Sequence, residues 1–368
     1  MNKEILVALP NDSLGGAELY LKNITRWYLE NTNLNVNIIF LKRKKTGDWS
    51  DLEKFKNCKL VYCGANREVY GAIILLWKML LYLPRKYQII YTSHVHLTGI
   101  IGILIRCGII KKYKFIGRES TLIFSRFKGH RLISFKISYY FGYPALDLLI
   151  CQTYLMKYEL EISLPWLIKK VNVKVVENPI VIPQEIKTND LNIDNNIPFI
   201  VAAGRYIKEK GFDILIKSFV QIKQEFPNLK LIILGEGPER DSLQNLIKSL
   251  KMDNEIILYG HTKNVFIFFK KARLCVVSSR IEGFPNVLLQ MIAMNNNVVS
   301  TKCAGDIEKI RGIELAEPNN INSLVTALRN NLLSNSSANR KYFNDEINAR
   351  TVTSFIKKIE QYTNAKLT

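Results

Sequence analysis

Three charged side chains at strand-end positions could hold a diphosphate and a sugar. Arg205 and Lys210 stand in GRYIKEKG, residues 204–211, where an apolar run ends at Gly204 and a helical pattern opens at Gly211. Two fixed cations beside the N–H groups of a helix start make a cradle for phosphate oxygens. A surface loop with incidental charges is the plainer alternative. Glu282 stands in SSRIEGFPNVLLQ, residues 278–290, after another apolar run. A carboxylate there can accept hydrogen bonds from sugar hydroxyls, or simply cap the next helix. Gln290, two turns on, can direct an amide at a ribose, and Gly283, Phe284, Pro285 and Asn286 form the loop between them. LGEGPER, residues 234–240, adds Gly235 and Gly237, whose missing Cβ permits a tight turn and close backbone approach.

The first half offers a second set. Gly15, Gly16 and Glu18 fall in LGGAELYL, residues 14–21, directly after the first apolar run, with the carboxylate in the first helical turn. His94 and His96 fall in TSHVH, residues 92–96, read as lying on alternate sides of a strand end, and Arg118 and Glu119 close a further strand in GRES, residues 117–120. A lone histidine is usually structural, but two at one strand end facing a cleft favour function.

These residues need a scaffold that brings distant loops to one edge. Short Val/Ile/Leu runs such as FIVAAGR, LKLIILGEG, EIILYGH and RLCVVSS alternate with helical stretches such as EKGFDILIKSFVQIKQEF and NVLLQMIAM. Near-continuous apolar strands are expected where helices cover both faces of a parallel sheet, and such doubly wound sheets bind ligands at strand C-terminal ends. EILVALP, NVNIIFLK and YQIIYTS give the first half the same rhythm, while residues 120–145 mix basic and aromatic residues in a segment that suits a surface helix, a loop or an ordinary packed helix. At 368 residues the chain has room for two domains. The Asn/Asp-rich stretch 187–198 is the natural linker. The expected division is residues 1–185, residues 186–350, and a C-terminal helix, residues 351–368, crossing back to the first domain.

Composition excludes disorder, with 48% hydrophobic and 23% charged residues. The net charge of +20 is uneven: residues 1–180 hold 27 Lys/Arg against 13 Asp/Glu, residues 181–368 hold 25 against 19. A basic first half points to an anionic partner. Six cysteines without C-x-x-C spacing indicate neither a zinc site nor a disulfide framework, and read as reduced, mostly buried thiols of a cytosolic protein. MNKEILVALPNDS reads as a first strand rather than a signal peptide. The apolar stretches 70–84 and 97–110 are interrupted by Lys78 and Arg106 and are shorter than the ~20 residues that span a bilayer.

In sequence order, GGAE at 15–18, GRYIKEKG at 204–211, LGEGPER at 234–240 and SSRIEGFPNVLLQ at 278–290 resemble the family 4 glycosyltransferases, along nearly the full length. The resemblance implies a GT-B fold, two Rossmann-like domains facing each other across a cleft, and retaining transfer of a sugar from a nucleotide-sugar. It implies that Arg205 and Lys210 neutralise the departing diphosphate, that Glu282 orients the donor sugar, and that His94 joins the catalytic set. Gly16, Gly204, Gly235, Gly237, Gly283, Phe284, Pro285, Asn286 and Gln290 are then the donor-binding set, and Gly15, Glu18, His96, Arg118 and Glu119 the acceptor-side candidates. Gln290 departs from the family, which has a second Glu there; its carbonyl can still accept from a ribose hydroxyl. MNNNVVS, residues 294–300, departs from the small residue, Gly and Pro usual before that strand. No metal or other cofactor is expected, since the nucleotide-sugar is a substrate.

The expected acceptor is a lipid-linked glycan or polysaccharide, and the expected enzyme a hexosyl- or N-acetylhexosaminyltransferase using a UDP-sugar. Its expected location is the cytoplasm, in peripheral contact with the anionic inner face of the plasma membrane through residues 67–87 or 123–145. No nucleic-acid motif accompanies the charge. The competing reading is a non-catalytic GT-B-like protein that uses its basic half to hold an anionic partner.

Overall fold

In the computed structural model, which describes residues 4–183, 186, 197–262 and 264–364, the chain divides into two compact units. The first ends at Pro179 and resumes at Arg350; the second runs from Ile180 to Ala349. The division falls before the expected 185/186 because Ile180 already packs against a core of the second unit. The expected linker, residues 187–198, lies outside the described residues up to residue 196.

Seven strands build the first sheet: β1 (Glu4–Leu9), β2 (Asn35–Lys42), β3 (Cys58–Ala65), β4 (Lys86–Thr92), β5 (Lys111–Arg118), β6 (Leu148–Cys151) and β7 (Val173–Val175). Their order is β3-β2-β1-β4-β5-β6-β7, all parallel, so the winding reverses between β1 and β4. Ile5 to Leu9 are all buried although successive side chains point to opposite faces, which requires cover on both.

One face is covered by the helices Gly16–Asn31 and Val352–Thr363. The second of these buries Val352, Phe355, Ile356 and Ile359 at i, i+3, i+4 and i+7, each side chain contributing about 1.5–3 kcal/mol. It starts where the Thr351 hydroxyl accepts the Ser354 N–H at 3.1 Å and stops at Asn364, whose φ is +47°. Phe355 meets Tyr20 edge to face at 5.5 Å, and Trp27 Nε1 donates to Thr353 Oγ1 at 2.9 Å. Residues 120–145 include a packed helix, Gly129–Phe141. It lies so close to the helix Val95–Arg106 that a Cβ on Gly102 would come 2.1 Å from the Gly142 carbonyl oxygen.

The second sheet holds β8 (Phe199–Ala203), β9 (Lys230–Leu234), β10 (Ile256–Gly260), β11 (Leu274–Val277), β12 (Val298–Thr301) and β13 (Glu314–Ala316). Their order is β10-β9-β8-β11-β12-β13, again all parallel, with the reversal between β8 and β11. Along β8, Ile200 and Ala202 face one core, with the helices Phe212–Glu225 and Ile321–Leu333. Phe199 and Val201 face the other, with the helices Val265–Lys271 and Asn286–Met294. The unusual asparagines before β12 have a structural use: buried Asn295 donates to the carbonyls of Phe269 and Ala272 and accepts from the Asn297 N–H. A side-chain amide thereby ties down helix-end carbonyls. Among the described residues no helix is long and apolar enough to cross a membrane.

Candidate functional site

At the reversal of the second sheet, the loops after β8 and β11 bring two of the expected charges together. Lys210 Nζ lies 2.5 Å from Glu282 Oε1, and each side chain is about one-fifth exposed. Ser279 Oγ donates to the same carboxylate oxygen at 2.9 Å, and the Glu282 N–H donates to the Cys303 carbonyl at 2.7 Å. Ser278 Oγ holds the Lys210 carbonyl at 2.9 Å. Gly211 makes this approach possible: its φ is +63°, and a Cβ there would come 2.2 Å from the Ser278 carbonyl oxygen. The neighbouring Cys303 thiol is pushed up to about 12, first by burial and then by the Glu282 charge, so it is an inert thiol.

Arg280, which the sequence reading passed over, fastens these loops. Its guanidinium is bidentate to Asp213, 2.8 and 2.7 Å, and donates to the Lys208 carbonyl and to Asn319 Oδ1. Burial alone would raise the Asp213 carboxyl; the Arg280 hydrogen bonds and charge outweigh it and hold the group below its usual range. A cavity of about 380 Å³ lies beside this clamp, lined among others by Ile207, Phe212, Leu243, Leu246, Asp213 and Arg280; Lys210 and Glu282 do not line it.

Arg205 is exposed and has no side-chain partner among the described residues. The glycines around it pack loop against loop. A Cβ on Gly235 would come 1.9 Å from the Gly204 carbonyl oxygen, and one on Gly237 would come 2.5 Å from the Tyr206 carbonyl oxygen. The Gly235 N–H donates to Gly260 and the Gly204 N–H to Leu234. These three glycines, expected in the donor-binding set, let the loops after β8 and β9 meet. In the third loop Gly283, Phe284 and Pro285 are buried, and the Phe284 ring belongs to the core rather than to an open donor pocket, as its apolar surface dictates. Asn286 opens the helix Asn286–Met294, and Gln290 is half-buried with no side-chain hydrogen bond among the described residues.

The first unit repeats the placement, since the reversal between β1 and β4 is also bridged by a side-chain pair, a histidine on a carboxylate. His94 Nε2 lies 3.0 Å from Glu18 Oε1, and Glu18 Oε2 accepts the Gly15 N–H at 3.1 Å. Gly16 starts the helix that carries Glu18. Burial pushes the Glu18 carboxyl up, but the hydrogen bond and charge of His94 and the backbone N–H groups bring it below its usual range. His94 Nδ1 is buried with no hydrogen-bond partner among the described residues. His94 Nε2 and the Gly15 amide are thus both engaged by Glu18 in this arrangement.

Three acceptor-side candidates sit elsewhere than expected. β4 ends at Thr92 and a helix starts at Val95, so His94 and His96 are not on alternate sides of a strand. His96 is packed against the helix Gly129–Phe141, stacked on Phe135 at 4.6 Å with Nδ1 3.1 Å from Ser138 Oγ. Arg118 is buried, its guanidinium donating to Asn178 and Ser93 and lying 4.2 Å over the Tyr20 ring; burial lowers it to about 10. Glu119 is buried too, accepting from Tyr139 and Tyr143 at 3.0 Å each.

Burial raises the Glu119 carboxyl from 4.5 to about 7 in spite of those two donors. Between those values the folded protein holds a proton that the unfolded chain has lost. Stability from this group is thus complete below pH 4.5 and is lost as pH rises through 7, on the order of 3 kcal/mol in all. Glu119→Gln, neutral throughout, is expected to remove most of that fall. The check is the urea midpoint of both proteins at pH 5 and pH 8; an equal fall in both would assign the titration to another group.

Two Rossmann-like domains of this kind define the GT-B class of fold. Residues 183–348 match the family model of the glycosyl transferases group 1, which places the second domain in that family. An uncharacterized glycosyltransferase of Methanocaldococcus jannaschii is 34% identical over 174 residues, 45% of this chain and 42% of that protein. The Campylobacter jejuni N-acetylgalactosamine-N,N'-diacetylbacillosaminyl-diphospho-undecaprenol 4-alpha-N-acetylgalactosaminyltransferase is 33% identical over 135 residues, 36% of each. The matches thus span less than half the length of these curated relatives. Among solved structures, Anabaena HepE in complex with UDP-glucose superimposes with a TM-score of 0.77 at 16% identity, covering 97% of this chain and 98% of that one. The trehalose 6-phosphate synthase of Burkholderia multivorans gives 0.76 at 12%, covering 99% and 98%. At such identities the likeness establishes the fold.

Proposed function

We propose that the protein is a retaining glycosyltransferase that moves a hexosyl or N-acetylhexosaminyl group from a nucleotide-sugar, a UDP-sugar in the first instance, to a lipid-linked oligosaccharide or polysaccharide. The observation that carries this reading is the Lys210–Glu282 pair at the switch point of a group 1 domain, with Arg205 exposed on the loop that leads to Lys210. In the reaction the bond from the anomeric carbon to the diphosphate oxygen breaks and a bond to the acceptor oxygen forms on the same face. The departing diphosphate takes the acceptor's proton. Lys210 and Arg205 neutralise the charge that builds on it, Glu282 orients the sugar, and no metal ion is called for. The Campylobacter relative's name supports an undecaprenyl-linked acceptor.

The test is incubation with a panel of nucleotide-sugars and lipid-linked acceptors, followed by NMR of the product. An α-linked product from an α-donor is expected. A β-linked product would exclude retention. Donor binding without turnover would favour the non-catalytic reading.

We further place the enzyme in the cytoplasm, against the inner face of the membrane. The helix Glu68–Leu81 leaves Tyr70, Ile73, Trp77 and Leu81 in solvent, and the helix Gly129–Phe141 leaves Ile133, Ile137, Tyr140 and Phe141, in each case an exposed apolar stripe. Lys128, Arg131 and Lys136 are exposed on and beside the second. At about 1 kcal/mol per basic group near anionic lipid, changing these three to Glu is expected to weaken binding to phosphatidylglycerol vesicles by at least tenfold. Unchanged sedimentation with the vesicles would count against this contact.

A further inference from the structure

Glu282 presents its two carboxylate oxygens unequally. Oε1 accepts from both Lys210 Nζ, 2.5 Å, and Ser279 Oγ, 2.9 Å, while no donor among the described residues reaches Oε2. Two donors on one oxygen fix the rotation of the carboxylate about its last bond and leave the other oxygen's lone pairs for a hydroxyl. The Ser279 backbone is itself held. Ser279 is 2% exposed, and its carbonyl accepts from buried Thr301 Oγ1 at 2.6 Å, which ties the loop after β11 to the end of β12. Glu282 is held from its other side by its own N–H on the Cys303 carbonyl. Its neighbour Ser278, equally buried, holds the Lys210 carbonyl.

We infer that Ser279 is a positioning residue for donor-sugar recognition: its hydroxyl, carried on a backbone that Thr301 anchors, locks Glu282 so that Oε2 faces the sugar, while Ser278 sets the backbone of Lys210 for the diphosphate. This rests on the proposed function and adds to it a division of labour between adjacent serines. A residue that merely filled space would change binding of a nucleoside diphosphate and its sugar conjugate alike. Ser279 acts only on the part of the ligand that Glu282 touches.

The experiment is calorimetric titration of the wild-type protein and Ser279→Ala with UDP-glucose, UDP-N-acetylglucosamine and GDP-mannose, and with UDP and GDP alone. Loss of one hydrogen bond to a charged, ligand-bearing group is expected to weaken binding of the preferred nucleotide-sugar about tenfold and to leave the matching nucleotide unchanged. Ser279→Thr, which keeps the hydroxyl, is expected to recover most of the loss. Should Ser279→Ala not fold, Ser279→Cys, close in size and a poor donor, is read in the same way. Equal weakening of nucleotide and nucleotide-sugar, or none, overturns the inference and leaves the proposed function standing. A wild-type protein that binds no member of the panel overturns both.

Discussion

Arg205→Ala and Lys210→Ala are each expected to lower kcat for sugar transfer by roughly 10²- to 10³-fold, and only the second is expected to lower the thermal unfolding midpoint. The size follows from the chemistry. Charge accumulates on the diphosphate as its bond to the anomeric carbon breaks, and one fixed donor aimed at such charge is worth about 3–4 kcal/mol in the barrier. The difference in stability follows from the structure. Arg205 is exposed and unpaired among the described residues, so its removal strands nothing. Lys210 is mostly buried on Glu282, and its removal leaves that carboxylate with Ser279 alone. A half-broken pair so placed destabilises, by less than the ~3–5 kcal/mol of a fully buried one because water still reaches it. Steady-state rates measured well below both midpoints, with unfolding followed separately, check the two halves. A kcat for Arg205→Ala within a few-fold of wild type would remove the arginine from the mechanism.

The parts of this site that could be read from sequence are those that a buried sheet forces. FIVAAGR and RLCVVSS read as strands covered on both faces, which sets the residues just beyond them, Arg205, Lys210 and Glu282, at one sheet edge although Lys210 and Glu282 lie 72 residues apart. What could not be read is which way a side chain turns at that edge. Glu18 opens the helix after β1 and Glu119 directly follows β5; one reaches His94 at the switch point, while the other turns inward to Tyr139 and Tyr143. His94 and His96 depended on where β4 gives way to helix. A step of two residues is one full strand period, which puts both rings on one face, but about 200° of helical rotation, which turns them apart. Ser279 carried no signal at all, since a single hydroxyl has no periodicity and its meaning lies in partners at 282 and 301. Arg280 was visible within SSRIEG, but its partner Asp213 stands in a different loop.

Glycine is the case in which residue type announces a constraint without naming its cause, and Gly235→Ala separates the two causes. If Gly235 lies open to the donor's phosphates, an added methyl would weaken ligand binding and spare the fold. The structure gives the opposite expectation. The methyl would stand 1.9 Å from the Gly204 carbonyl oxygen, and the atom in its way is backbone, which cannot swing aside as the end of a side chain can. To make room, the peptide that leads into Arg205 must move and the hydrogen bonds of Gly204 to Leu234 and of Gly235 to Gly260 must distort. The residue must also keep a φ of +133°, foreign to alanine. Strain and clash together are expected to destabilise the second domain by roughly 3–5 kcal/mol. Gly108 provides the scale: its φ is +74°, nothing lies within 4 Å of an added Cβ, and Gly108→Ala carries the conformational penalty alone, about 1–2 kcal/mol. Urea unfolding of the two variants is therefore expected to separate them by roughly 1–4 kcal/mol, with transfer activity lost in Gly235→Ala even in the fraction that folds, because Arg205 has been displaced. Equal midpoints for the two variants, with nucleotide-sugar binding lost only in Gly235→Ala, would return this glycine to the donor's side.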